Sequence, residues 1–172
     1  MKESPEKLLK NVTFFVDRSS GKKLAEGLKE LGLNIEKHDD HFEQNTLDII
    51  WLEKCGEMNW VVISSDKAIK KNILEKEALM KSNLASFFFT SASLTSEQQI
   101  EIITKGLKRI ANILASTKKP FIARLDKEGN VEIWLNHKGE DLIAKNLKGK
   151  KLKKKAFLYK LGGARLSRFL GK

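Results

Sequence analysis

Four aspartate positions in this chain are spaced so that they could act together. Asp17 closes the apolar run Val12-Thr13-Phe14-Phe15-Val16, and Asp66 follows a second such run, Trp60–Ser64. Between them stand the pair Asp39-Asp40 and, eight residues beyond it, Asp48. Two carboxylates about 4 Å apart repel by about 4 kcal/mol at an effective dielectric of 20, so a fold that gathers several must offset that cost. A hard divalent cation held by carboxylates and water does so, and Mg²⁺ or Mn²⁺ suits an all-oxygen site. Such an ion lowers the pKa of a bound water and clamps phosphate oxygens, which is the chemistry of phosphodiester hydrolysis. Each aspartate taken singly also fits a turn or a helix N-terminus, Asp48 above all. Of the pair, strand alternation would turn only one inward, and Asp40 is taken as that one.

Cations lie beside these acids. Arg18, Lys67, Lys70 and Lys71 could contact the scissile phosphate and its neighbours, or serve only as solvated surface charge. His38 and His41 flank the aspartate pair. Their spacing would admit zinc, but no cysteine lies nearby and the local chemistry is carboxylate, so His41 is read as a substrate contact instead. Glu75 and Glu77 could support the site or simply face solvent. Cys55 is the single cysteine and has no convincing base, so it reads as a small buried residue, as Trp51 and Trp60 read as core.

The elements that must position these groups follow from periodicity. Residues 12–17, 60–64 and 85–90 are nearly continuous apolar runs, the mark of strands buried on both faces. Residues 34–39 are short and polar, which suits an edge strand. Leu24, Leu28 and Leu31 form a helical stripe after Ser19-Ser20, with Gly32 as its terminator. Leu47, Ile50, Trp51 and Cys55 form another, with Thr46 as its cap. A third helix is expected over about 68–82. Thr95 and Gln98 make a capping box that opens a long helix through Leu114. Residues 121–125 and 131–135 flank Lys127-Glu128-Gly129-Asn130 and read as a hairpin. Alternating strands and helices predict an α/β fold with a mostly parallel central sheet flanked by helices, in the order 2-1-3-4. Ligands in such folds bind outside the carboxyl ends of the strands, where Asp17 and Asp66 fall.

The charge is uneven. Of 33 basic residues eleven lie from Lys145 onward, and no acid follows Asp141; the remaining 22 are matched by 22 acids, so the tail carries the whole excess of +11. This divides the chain into a domain over 1–140 and a flexible basic tail over 141–172. In the tail, Lys153, Lys154 and Lys155 could tether RNA; the rival readings are an anionic-membrane contact, a docking segment for an acidic partner and a solvated disordered tail. One cysteine excludes a disulfide scaffold, no run reaches the roughly 18 apolar residues of a membrane span, and the N-terminus lacks a signal-peptide core. The expected location is the cytoplasm.

Val16-Asp17-Arg18-Ser19, His38-Asp39-Asp40-His41-Phe42, Asp48 with Trp51-Leu52, and Ser65-Asp66-Lys67 together resemble the PIN-like ribonucleases, in the branch related to VapC-type toxins. Residues 71–79 and Pro120-Phe121-Ile122-Ala123 are similar to it as well. The resemblance spans roughly 12–135 and implies a three-layer PIN-like domain and a Mg²⁺- or Mn²⁺-dependent endoribonuclease. It further implies the toxin half of a toxin–antitoxin pair, with RNA as substrate, an antitoxin protein as partner and a homodimer as assembly. By matching position it makes Asp17, Asp48 and Asp66 the metal ligands and Asp40 a fourth acidic member of the catalytic set. The sequence departs from the usual pattern in having aspartate rather than glutamate at 48 and nothing acidic directly after Thr90.

Two other classes share parts of the pattern. A non-catalytic RNA-binding PIN-like module would keep the fold without the reaction. A phospho-acceptor receiver domain would use an aspartate at the end of strands one and three, a hydroxyl such as Thr90 and a Lys-Pro such as Lys119-Pro120. Receivers carry that Lys-Pro after their last strand, however, and have no use for Asp40 and Asp48.

Overall fold

In the computed structural model, which describes residues 5–66, 73–91, 93–151 and 153, the apolar runs are strands that bury both faces. β1 (Thr13–Val16) sends Phe14 and Val16 to one side of the sheet and Phe15 to the other. β3 (Val61–Ser64) divides Val61 and Ile63 from Val62 in the same way. β4 (Ala85–Phe89) is buried at all five positions. With β2 (Asn34–Lys37), β5 (Phe121–Leu125) and β6 (Val131–Leu135) they form one six-stranded sheet in the order β2-β1-β3-β4-β5-β6. Every pairing is parallel except the terminal β5–β6 hairpin. The α/β class, the strand order at the polar edge and the hairpin agree with the reading of the sequence.

Helices cover both faces. α1 (Pro5–Lys10), which the apolar pattern did not announce, joins α2 (Lys22–Glu30) and the long α6 (Ser96–Ser116) on one side. There Leu9, Leu24, Leu28, Ile103 and Ile110 pack on Phe14, Phe87 and Phe121. α4 (Asp48–Glu57) and α5 (Ile73–Lys81) cover the other side with Trp51, Leu52, Cys55 and Leu79. Phe15 lies between two indoles there, 5.4 Å from Trp51 and 5.6 Å from Trp60 in near-parallel stacks. Each fully buried side chain of this size contributes about 1.5–3 kcal/mol over leaving it exposed. Gly56 lets α4 lie against the Ser82 carbonyl, where a Cβ would collide. Gly129, at φ +74°, turns the hairpin.

Local detail departs from expectation in four places. The strand expected over 34–39 ends at Lys37, and His38–His41 form a single helical turn, α3. His38 is buried, and its ring meets Phe15, Phe42 and Trp51, so packing draws the chain out of the sheet there. Ser19 and Ser20 do not cap α2; with Arg18 they form a 3-10 turn capped by the Asp17 carboxylate, and Gly21 precedes α2. Leu47 rather than Thr46 occupies the N-cap of α4. The helix expected over 68–82 is seen as Ile73–Lys81, ending one residue early, with 68–72 lying outside the described residues. The Thr95–Gln98 capping box forms as read, with Thr95 N–H donating to Gln98 Oε1 at 3.0 Å and Gln98 N–H to Thr95 Oγ1 at 3.2 Å.

Contacts divide the chain into two units, one through Glu140 and one from Asp141. In the second, residues 142–151 are helical, and Asp141 Oδ1 accepts the Ala144 N–H at 2.8 Å as a cap. No described helix is long and apolar enough to cross a membrane.

Candidate active site

β1 and β3 run parallel with Val16 opposite Ile63, so the residues that follow them, Asp17 and Ser64, meet at the carboxyl edge of the sheet. Asp17 is held there by its backbone N–H, which donates to the Ile63 carbonyl at 3.1 Å. Its side chain is 9% exposed, and two hydroxyls converge on one carboxylate oxygen: Ser19 Oγ and Ser64 Oγ each donate to Oδ2 at 2.6 Å. Among the described residues Oδ1 has only a long contact to the Ser19 N–H, at 3.4 Å. Among the described residues Asp17 has no cationic partner. A buried carboxylate usually finds one, because hydroxyls alone do not balance its charge.

Asp17 also lines a cleft of about 220 Å³ with Arg18, Lys22, Lys37, His38, Asp39 and Asp40 among others. The two aspartates of the pair both reach it, because they sit on a helical turn and not on an alternating strand. Asp40 pairs with Lys37 at 3.4 Å. Arg18 sets its guanidinium on the Gln44 carbonyl at 2.6 Å and on Gln44 Oε1 at 3.3 Å, which ties the end of β1 to the segment before α4. A larger groove of about 500 Å³ lies between α4 and α5, lined in part by Ile49, Glu53, Leu74 and Glu77 and by none of the residues that line the Asp17 cleft.

The other expected acids are placed differently. Asp48 opens α4 and accepts the Trp51 Nε1–H at 2.9 Å; it is not among the residues lining the cleft. Asp66 is linked to Asp17 through one hydroxyl, since Ser64 Oγ accepts the Asp66 N–H at 3.0 Å while donating to Asp17. His41 lies on the flank, with Nε2 2.6 Å from Glu36 Oε2 and its ring 5.0 Å from Trp60. Lys153 is exposed within the basic unit. Lys67, Lys70, Lys71, Lys154 and Lys155 lie outside the described residues.

No set of three His, Cys, Asp or Glu side chains among the described residues is grouped to hold an ion. The donor at hand is an all-oxygen one: a fixed carboxylate that, among the described residues, has no cationic partner and only one long contact on Oδ1. That suits a hydrated Mg²⁺ or Mn²⁺, which keeps several waters and needs only one or two carboxylates. Lys22, Lys37, Ser19 and Ser64 escaped the reading of the sequence. Ser64 carried a signal there, as the one polar residue of an otherwise apolar strand, and Ser19 stood in the motif that begins with Val16-Asp17.

Cys55 is fully buried; burial pushes its thiol pKa up, and the negative charge of Asp17 adds to that. Lys119 bonds Asn59 Oδ1 at 2.8 Å. Both residues precede strands, so this lysine stands at the opposite edge of the sheet from Asp17, which removes the receiver arrangement.

No curated protein and no solved structure matches the chain. Residues 12–91, which carry β1 to β4 and Asp17, Asp39, Asp40, Asp48 and Asp66, match the family model of the PIN-like domain, a domain whose members are in general nucleases.

Proposed function

We propose that the protein is a metal-dependent endoribonuclease. The observation that carries this reading is the Asp17 carboxylate, buried, fixed by two hydroxyls and without a cationic partner among the described residues, at the wall of a cleft lined by Arg18, Lys22 and Lys37. Asp17 would hold Mg²⁺ or Mn²⁺ through Oδ1, with Asp48 and Asp66 as further ligands and Asp40 as the fourth acid of the catalytic set. When bound, the ion would acidify a water and neutralise charge developing on the phosphate. The chain's own groups do the rest. Ser19 and Ser64 fix the rotamer of Asp17. Lys22, Lys37 and Arg18 attract the phosphates, with Lys67, Lys70, Lys71 and His41 as further contacts and Lys153, Lys154 and Lys155 as a tethering arm.

The test is cleavage of single-stranded RNA in Mg²⁺ or Mn²⁺. Cleavage should stop in chelator and in Asp17→Asn; cleavage unchanged by both would exclude the reading. The finer assignment is the toxin of a toxin–antitoxin pair, acting in the cytoplasm, with an antitoxin as partner and a homodimer as assembly. Growth arrest on expression, relieved by Asp17→Asn, would support it.

A second reading is favoured by Asp48 bonding Trp51 and Asp40 pairing with Lys37. Those acids would then be structural, and the domain would bind RNA without cutting it. RNA binding with no cleavage in any divalent metal would select it.

A further inference from the structure

We propose that Ser65 Oγ–H is a phosphate donor of this site, aimed by Gln99. The inference rests on the nucleic-acid reading given above and extends it to residues outside the acidic set.

A serine hydroxyl has one proton to give and two lone pairs. In Ser65 both lone pairs are engaged: Ser20 Oγ donates to it at 3.1 Å and Gln99 Nε2 at 3.0 Å. Its own proton has no acceptor among the described residues, and Ser65 is only half-buried. The two donors behind it are buried, Ser20 at 4% and Gln99 at 5% exposure. They come from different elements, the turn after β1 and the first turns of α6, so the hydroxyl is braced from two sides. The Gln99 amide is oriented by the Leu94 carbonyl, 3.5 Å from Nε2, which calls for a donor at that end.

Gln99 makes this arrangement at a cost. Its Oε1 is buried without a partner among the described residues. The residues that follow on the same helix, Ile102 and Ile103, are apolar and buried, and an apolar side chain at 99 would have avoided the orphaned acceptor. The bond to Ser65 is what the glutamine adds.

The position suits a substrate chain. The sheet order places the cleft at the ends of β2 and β1, then Asp17, then Ser65 at the end of β3. A phosphodiester backbone laid along this edge passes the cationic cleft and Asp17 and next meets the half-buried Ser65. The contact is neutral, so it adds affinity without releasing a counterion.

The experiment is equilibrium binding of a single-stranded RNA oligonucleotide to the full chain in chelator, across a salt series, by fluorescence anisotropy. Ser65→Ala should weaken binding about 10- to 100-fold, as expected for a bond to a charged acceptor. The slope of log affinity against log salt should stay as in the parent; the thermal midpoint should fall, because the buried Ser20 and Gln99 lose their acceptor, so binding is measured well below the variant's midpoint. Ser65→Thr should restore binding, and Gln99→Leu should weaken it while leaving the hydroxyl in place. Unchanged affinity in Ser65→Ala overturns the proposal, as does a loss that comes with a changed salt slope or is not restored by threonine. If the parent binds no RNA, this inference and the nucleic-acid reading fall together. If Ser65→Ala weakens binding but no metal supports cleavage, only the nuclease reading falls.

Discussion

The hydroxyl of Ser64 lies 2.6 Å from Asp17 Oδ2, and the same oxygen accepts the Asp66 N–H at 3.0 Å. Ser64 is fully buried, so a single atom with no access to solvent joins the ends of β1 and β3.

Ser64→Ala should therefore cost stability and metal affinity together. It removes a bond to a charged acceptor and orphans a backbone donor, about 1.5–3 kcal/mol by urea unfolding. Mn²⁺ affinity, measured by calorimetric titration, should fall roughly 10- to 100-fold, as it does when a ligand loses its outer hydrogen-bond partner. A stability loss with Mn²⁺ affinity intact would show that the hydroxyl serves the fold alone.

Asp17→Asn should leave metal-free stability unchanged or raised, since a neutral amide keeps an acceptor for the serines and sheds a buried charge. The parent should gain about 2.7 kcal/mol at Mn²⁺ a hundredfold above its Kd, and the variant should gain nothing. Thermal unfolding with and without Mn²⁺ reads both effects.

Asp66→Asn keeps the backbone N–H that Ser64 accepts. RNA cleavage should be lost while the metal-free unfolding free energy stays within about 0.5 kcal/mol of the parent or rises. A marked fall in metal-free stability would instead mark Asp66 as structural.

Phe15→Ala should cost about 3–5 kcal/mol in urea unfolding, because the ring is fully buried between Trp51 and Trp60 and its neighbours cannot close the gap. Phe15→Leu should cost distinctly less.

Cys55 gives a pH test. Burial first, and the charge of Asp17 second, raise its thiol pKa in the folded chain. Above about pH 8.5 the unfolded chain loses this proton and the folded chain keeps it, so stability falls as pH rises, approaching about 1.4 kcal/mol per pH unit from this group. Cys55→Ala should flatten that slope. A disulfide reagent should label Cys55 in urea and leave it untouched in the native state.

The sheet was legible because its central strands bury both faces, which leaves a near-continuous apolar signal in Val12–Val16, Trp60–Ile63 and Ala85–Phe89. Thr95 and Gln98 were legible because a capping box is local chemistry. His38-Asp39 reads as the end of a strand because the turn over His38–His41 is imposed by rings from β1 and α4 that no local pattern records. For the site, Asp17 could be placed from the end of its strand. The serines around it could not: Ser19, Ser64 and Ser65 acquire meaning only once β1, β3 and α6 lie side by side.

β1 sends Phe15 into one packed layer and Val16 into the other immediately ahead of Asp17. A four-residue strand thus answers to two independent cores, and neither can shift without moving the carboxylate. Exposed positions of α4 and α6 are free to drift under mutation, whereas Thr13–Val16 should accept only exchanges that conserve volume on both sides at once.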